Sequence, residues 1–163
     1  MTMNSMIALN FLPQDQINLS HSHEKNELKR YRWLALTFLP FDSSISSLMS
    51  AIGLECVRRL LSLQEIARKM ELEACIDTDN FEKLPLVKTN SQHFFVVDKT
   101  MGYQFLARAE EAAQESCSFY RWLLETNATP ELHRTLFDFV TQKDSEYLVL
   151  QECREQWSMI RSL

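Results

Sequence analysis

The sequence predicts an all-α protein built as a bundle of four helices, and three observations predict it. The last helical run sets Leu132, Leu136, Phe139, Lys143, Glu146, Leu150, Cys153, Trp157 and Ile160 at alternating steps of four and three residues. That spacing is the seam of a helix packed along other helices. Only two glycines, Gly53 and Gly102, serve 163 residues. They are too few for an all-β chain with many tight turns or for a glycine-rich phosphate loop. The connections run short, long, short, which makes two helical hairpins joined by one long crossover between helices 2 and 3.

The amino-terminal stretch, residues 1–21, lacks a clean period and is expected as an arm. Met6, Ile7, Leu9, Phe11 and Leu12 offer it apolar anchors before Pro13 breaks the run. The bundle is expected over residues 22–163. Ser22 suits an N-cap, so the first helix should run from about His23 to Leu39, with Pro40 ending it. Its buried stripe is Glu24 or Glu27, Leu28, Tyr31, Leu34, Ala35 and Phe38. Asp42 or Ser43 caps the second helix, which the pattern extends to about Ala74. Its stripe is Ile45, Leu48 and Met49, Ile52, Glu55 and Cys56, Arg59, Leu63, Ile66 and Met70.

Residues 76–97 lose the helical period, and Asp77, Asp79, Asn80, Pro85, Asn90 and Ser91 read as loop. This is the expected crossover, with His93 a lone loop histidine. Asp98 or Thr100 caps the third helix, from about Lys99 to Thr126. Its middle is small-sided at Ala109, Ala112, Ala113, Ser116 and Cys117, which leaves room for long side chains opposite. Thr129 caps the fourth helix, with Pro130 in its first turn.

Composition narrows the function. At 163 residues the chain reads as one domain, 45% apolar and 24% charged. The net charge of −5 argues against nucleic acid as a partner, because phosphate neutralisation needs a basic face. Cys56, Cys75, Cys117 and Cys153 are scattered, with no Cys-x-x-Cys pair, so zinc-ribbon and thioredoxin-type motifs are absent. Reduced cysteines on apolar stripes indicate a cytoplasmic compartment. The longest apolar run, from Trp33 to Phe41, is too short to span a membrane.

Two seam positions of the fourth helix are charged, Lys143 and Glu146. Charge inside a seam is costly unless it is paired or binds something. The pattern around these residues resembles the ferritin-like and rubrerythrin-like di-iron proteins. In that family the first helix of each hairpin carries a Glu seven residues before a Tyr, and the second carries Glu-x-x-His. Here Glu24 precedes Tyr31 by seven, and Glu55-Cys-Val-Arg58 stands where a Glu-x-x-His is expected. In the second hairpin Ala113 precedes Tyr120 by seven, and Lys143-Asp-Ser-Glu146 replaces the other Glu-x-x-His.

The resemblance covers about Glu24 to Trp157. It implies a ferritin-like up-down four-helix bundle whose di-iron motif is degenerate. It places Glu24, Glu55 and Glu146 as the candidate metal ligands and Arg58 and Lys143 in a central charge cluster. The first reading is a metal-free centre in which three carboxylates face two cations, with no cofactor expected. The alternative is an iron- or manganese-dependent oxidoreductase with an altered carboxylate site, completed by Glu111, Glu115 or a histidine of the arm, with Lys143 as a neutral group or a proton donor. Ferritin-like bundles often associate, so the resemblance also implies a homodimer. No nucleophile–base pair is legible, and no catalytic residue is assigned.

Overall fold

The computed structural model describes residues 12–76 and 95–162. Residues 1–11 of the expected arm and most of the expected crossover, including His93, lie outside these residues. Four long helices make up the described fold. They are α1 (Pro13–Phe38), α2 (Ser43–Lys69), α3 (Lys99–Glu125) and α4 (Pro130–Ser162). One short 3-10 turn, Glu73–Cys75, follows α2.

α1 starts ten residues earlier than expected. Pro13 does not break a run; it occupies the first turn, where its missing N–H costs nothing, and Asp15 follows it. His21 is therefore a helical residue, not part of an arm. α2 starts as predicted, with the Asp42 carboxylate accepting from the Ser44 and Ile45 amides at 3.0 and 3.1 Å. It stops five residues short of the expected end. The Leu72 amide donates to the Ala67 carbonyl and the Glu71 amide to the Arg68 carbonyl, closing a Schellman turn. That turn needs a left-handed residue, and Glu71 supplies it at φ 59°. Asp98 caps α3 by accepting from the Met101 amide at 2.8 Å.

Helices that pair along their length run antiparallel. α1 and α2 form one hairpin and α3 and α4 the other. Across the hairpins, Gln16 donates to the Leu123 carbonyl, while Phe38 meets Phe105, so α1 lies antiparallel to α3. Arg59 meets Gln142 and Glu146, which pairs α2 with α4. It follows that α2 and α3 point the same way. The chain between Lys69 and Lys99 joins opposite ends of the bundle, roughly 40 Å apart for helices of this length. The Val96 amide fixes the far end of that connection by donating to the Thr37 carbonyl of α1 at 3.0 Å.

The core has two apolar clusters. One gathers Phe38, Met49, Leu60, Leu106, Leu150 and Trp157. The other gathers Ile17, Leu63, Tyr120, Leu123, Leu132 and Phe139. Trp157 closes the first. Its indole N–H donates to the Lys99 carbonyl at 2.8 Å, and its ring lies over Gly102. A Cβ on Gly102 would stand 2.5 Å from the Trp157 ring, so this approach requires glycine. Between the clusters the side chains turn polar.

Candidate functional site: a buried charge cluster

Four ionisable side chains meet in the polar layer, one or two from each of three helices. Glu24 of α1 is 0% exposed, Arg59 of α2 1%, and Lys143 and Glu146 of α4 3% and 8%. Helical spacing explains the set. Glu24 lies one turn before Leu28 on the core stripe of α1, Arg59 one turn after Cys56 on that of α2, and Lys143 and Glu146 between Phe139 and Leu150 on that of α4.

Glu24 is the hub. Its Oε1 accepts from Arg59 Nε at 2.9 Å and from the Tyr120 hydroxyl at 2.9 Å. Lys143 Nζ stands 2.9 Å from the same oxygen and 3.4 Å from Oε2. Arg59 also binds Glu146 Oε1 through Nη2 at 2.9 Å and Gln142 Oε1 through Nη1 at 3.1 Å. The Lys143 ammonium lies 5.6 Å from the centre of the Tyr120 ring, which adds a cation–π contact. Two carboxylates meet two cations, so the cluster carries no net charge. One acceptor, Glu146 Oε2, is buried without a hydrogen-bond partner.

The electrostatics follow from this geometry. Burial opposes ionisation of Glu24, but Lys143 and Arg59 outweigh it and hold the carboxyl down at about 2. Burial also works against the Arg59 charge, and Glu24 and Glu146 more than offset it, so its pKa is raised further. Burial and then the Glu24 carboxylate push the Tyr120 hydroxyl well above its ordinary value. The Cys56 thiol, 3.5 Å from Arg59, is pushed up to about 12 by burial first and Glu24 second. A thiol so held stays protonated at neutral pH and is no nucleophile.

A smaller set adjoins the cluster at the α1–α3 interface. His23 Nε2 lies 2.7 Å from Ser116 Oγ and 3.4 Å from Glu27 Oε1, with its ring stacked on Phe119. Serine, histidine and glutamate together suggest a catalytic triad, but the arrangement fails one. Serine and carboxylate approach the same ring nitrogen, so this carboxylate does not orient the imidazole from its other side. Burial, then Lys143, lower the His23 pKa to about 4. At neutral pH the imidazole is uncharged and the contact with Glu27 is no ion pair. Glu27 pairs instead with Arg30.

Among the sequence-predicted residues, Glu24, Lys143 and Glu146 come together, while Glu55 and Arg58 do not join them. Those two pair with each other on the outside of α2 at 2.5 Å, with side chains 40% and 64% exposed. The expected inward cation of α2 is Arg59, not Arg58. One residue is a 100° turn, and the core stripe through Met49, Ile52, Cys56 and Leu63 carries Arg59 inward. Glu111 and Glu115, the expected additional ligands, are exposed. Ala113 is buried in the first apolar cluster, as the small-sided centre of α3 requires. Among the described residues no group of three or more histidine, cysteine, aspartate or glutamate side chains is gathered as a metal would use it.

Fold and site together define a four-helix bundle with a neutral, buried ion-pair layer. No family model, curated protein or solved structure matches the chain. Among the described residues no helix is long and apolar enough to cross a membrane.

Proposed function

We propose that this protein is a ferritin-like bundle whose centre is a permanent ion-pair network in place of a di-iron site, and that it is not a metal-dependent oxidoreductase. The observation that carries this reading is the occupancy of Glu24. Arg59, Lys143 and Tyr120 all approach its Oε1 at 2.9 Å, and the amine of Lys143 also lies 3.4 Å from Oε2. A divalent cation bound there would have to displace an ammonium and a guanidinium or sit beside both. Two carboxylates with two fixed cations do not suit a pair of hard metal ions, which in such bundles draw on four carboxylates.

In this reading the cluster specifies how the hairpins dock. Glu24 and Arg59 belong to the first hairpin, Lys143, Glu146 and Tyr120 to the second. Any slip in register strands charge in a dry interior, so one docking is favoured over its neighbours.

Metal analysis tests the reading. Protein purified without chelator is expected to hold iron and manganese far below one equivalent, before and after incubation with either ion. Close to one equivalent of either metal, lost in Glu146→Ala, would overturn the metal-free reading.

A further inference from the structure

We infer that Gln16 and Ser20 of α1 hold a buried water molecule on the bundle axis, below the ion-pair layer. This inference rests on those two side chains and is independent of the metal-free reading of the cluster.

Gln16, Ser20 and Glu24 follow one another at steps of four residues, so they share one face of α1. All three are buried, Gln16 to 1% exposure and Ser20 and Glu24 to 0%. Glu24 is bound by Arg59 of α2, Tyr120 of α3 and Lys143 of α4, which aims this face at the bundle axis. Below Glu24 the axis runs into the second apolar cluster, where Leu63, Ala67, Leu123 and Phe139 are buried. The antiparallel register set by Glu24 and Arg59 brings Leu63 across from Ser20 one turn down, and Ala67 across from Gln16 at the next. One helix thus sends two uncharged polar side chains into an apolar layer.

Their hydrogen bonds are incomplete in a complementary way. Gln16 Nε2 donates to the Leu123 carbonyl of α3 at 3.3 Å, which fixes the amide and directs its Oε1 away from that carbonyl. Neither Gln16 Oε1 nor Ser20 Oγ has a hydrogen-bond partner among the described residues. Buried polar atoms are almost always bonded, and where the protein supplies no partner an ordered water does. The two atoms suit one water. Residues four apart on a helix hold their Cβ atoms about 5–6 Å apart, a span that a single water bridges with one bond at each end. Gln16 Oε1 only accepts, whereas the Ser20 hydroxyl donates or accepts. The water therefore gives one hydrogen to Gln16 and exchanges the other bond with Ser20 in either sense. The short side chains of Ser20 and Ala67 make room for a molecule of roughly 30 Å³. Bound there, the water holds the Gln16 amide in the orientation that ties α1 to α3.

The test counts long-lived internal water in the full chain by magnetic relaxation dispersion of the water oxygen. Wild type is expected to hold one such water more than Ser20→Val, whose methyl groups take its place, and one more than Gln16→Leu, which removes the acceptor. Circular dichroism checks that each variant keeps its helices. Equal dispersion in wild type and in both folded variants overturns the inference. A high-resolution crystal structure of the wild type decides the matter should either variant fail to fold. A water within hydrogen-bond distance of both Gln16 Oε1 and Ser20 Oγ is expected there. A Ser20 hydroxyl bonded to the backbone carbonyl of Gln16, with no water between the two side chains, overturns it.

Discussion

Arg58 reaches back one turn to Glu55 on the surface of α2, whereas Arg59, the next residue, reaches inward to Glu24 on α1 and Glu146 on α4. Both are Glu–Arg pairings at hydrogen-bond distance, and their energetics are opposite. The surface pair keeps most of its hydration and is screened by salt, so it contributes a few tenths of a kcal/mol. The buried pair has given up its water and depends on its partners for the return of that free energy. Contact distance therefore says little about importance here; burial and the completeness of the surrounding bonds decide it.

The contrast can be tested from its strong end to its weak one. Arg59→Ala, or Lys143→Ala, leaves a carboxylate buried without compensation and is expected to cost about 3–5 kcal/mol in denaturant unfolding. A loss below about 1 kcal/mol would mean that water reaches the cluster. Acid comes next. Glu24 titrates near 4.5 when unfolded and about 2 when folded, so its contribution is complete above pH 4.5 and disappears as pH falls toward 2. A shift of that size is worth on the order of 3 kcal/mol. His23 acts at higher pH. It is held neutral in the fold, with a value lowered from 6.5 to about 4, so stability declines as pH drops through that window. His23→Asn is expected to flatten the stability curve between pH 6.5 and 4 while leaving the lower step in place. An unchanged slope would remove His23 as its source. The smallest effect belongs to the surface: Arg58→Ala should change the stability of the monomer by less than about 0.5 kcal/mol.

Much of this architecture was legible from hydrophobic period alone. The stripe of α4 is buried at every position from Leu132 to Leu150, and both charged positions face inward. The stripe of α2 already contained Arg59. The resemblance to di-iron helices drew the inward cation to Arg58 instead, because Glu-x-x-His fixes the spacing from Glu55. Burial of Cys56, one residue further on, rotates Glu55 and Arg58 outward, and periodicity was the better guide. Helix ends were less legible because their signals were misleading. Pro13 reads as a breaker yet suits a first turn. The end of α2 carries no glycine, since Glu71 takes the left-handed position at its own cost. The role of Tyr120 as a donor to Glu24, across 96 residues of sequence, had no local signal.

The separation of the cluster's partners also bears on the order of folding. Lys143 and Glu24 lie 119 residues apart, and Arg59 and Glu146 lie 87. Each hairpin closes through local contacts across a short link and can gain its helices early. The four charges lose their water only when one hairpin meets the other. Bonds between hairpins that form after the main barrier act chiefly on the rate of escape from the native state, so Lys143→Ala is expected to speed unfolding more than it slows folding. On that outcome, what looks at equilibrium like an expensive interior is, in kinetic terms, a latch that closes last and governs how slowly the bundle reopens.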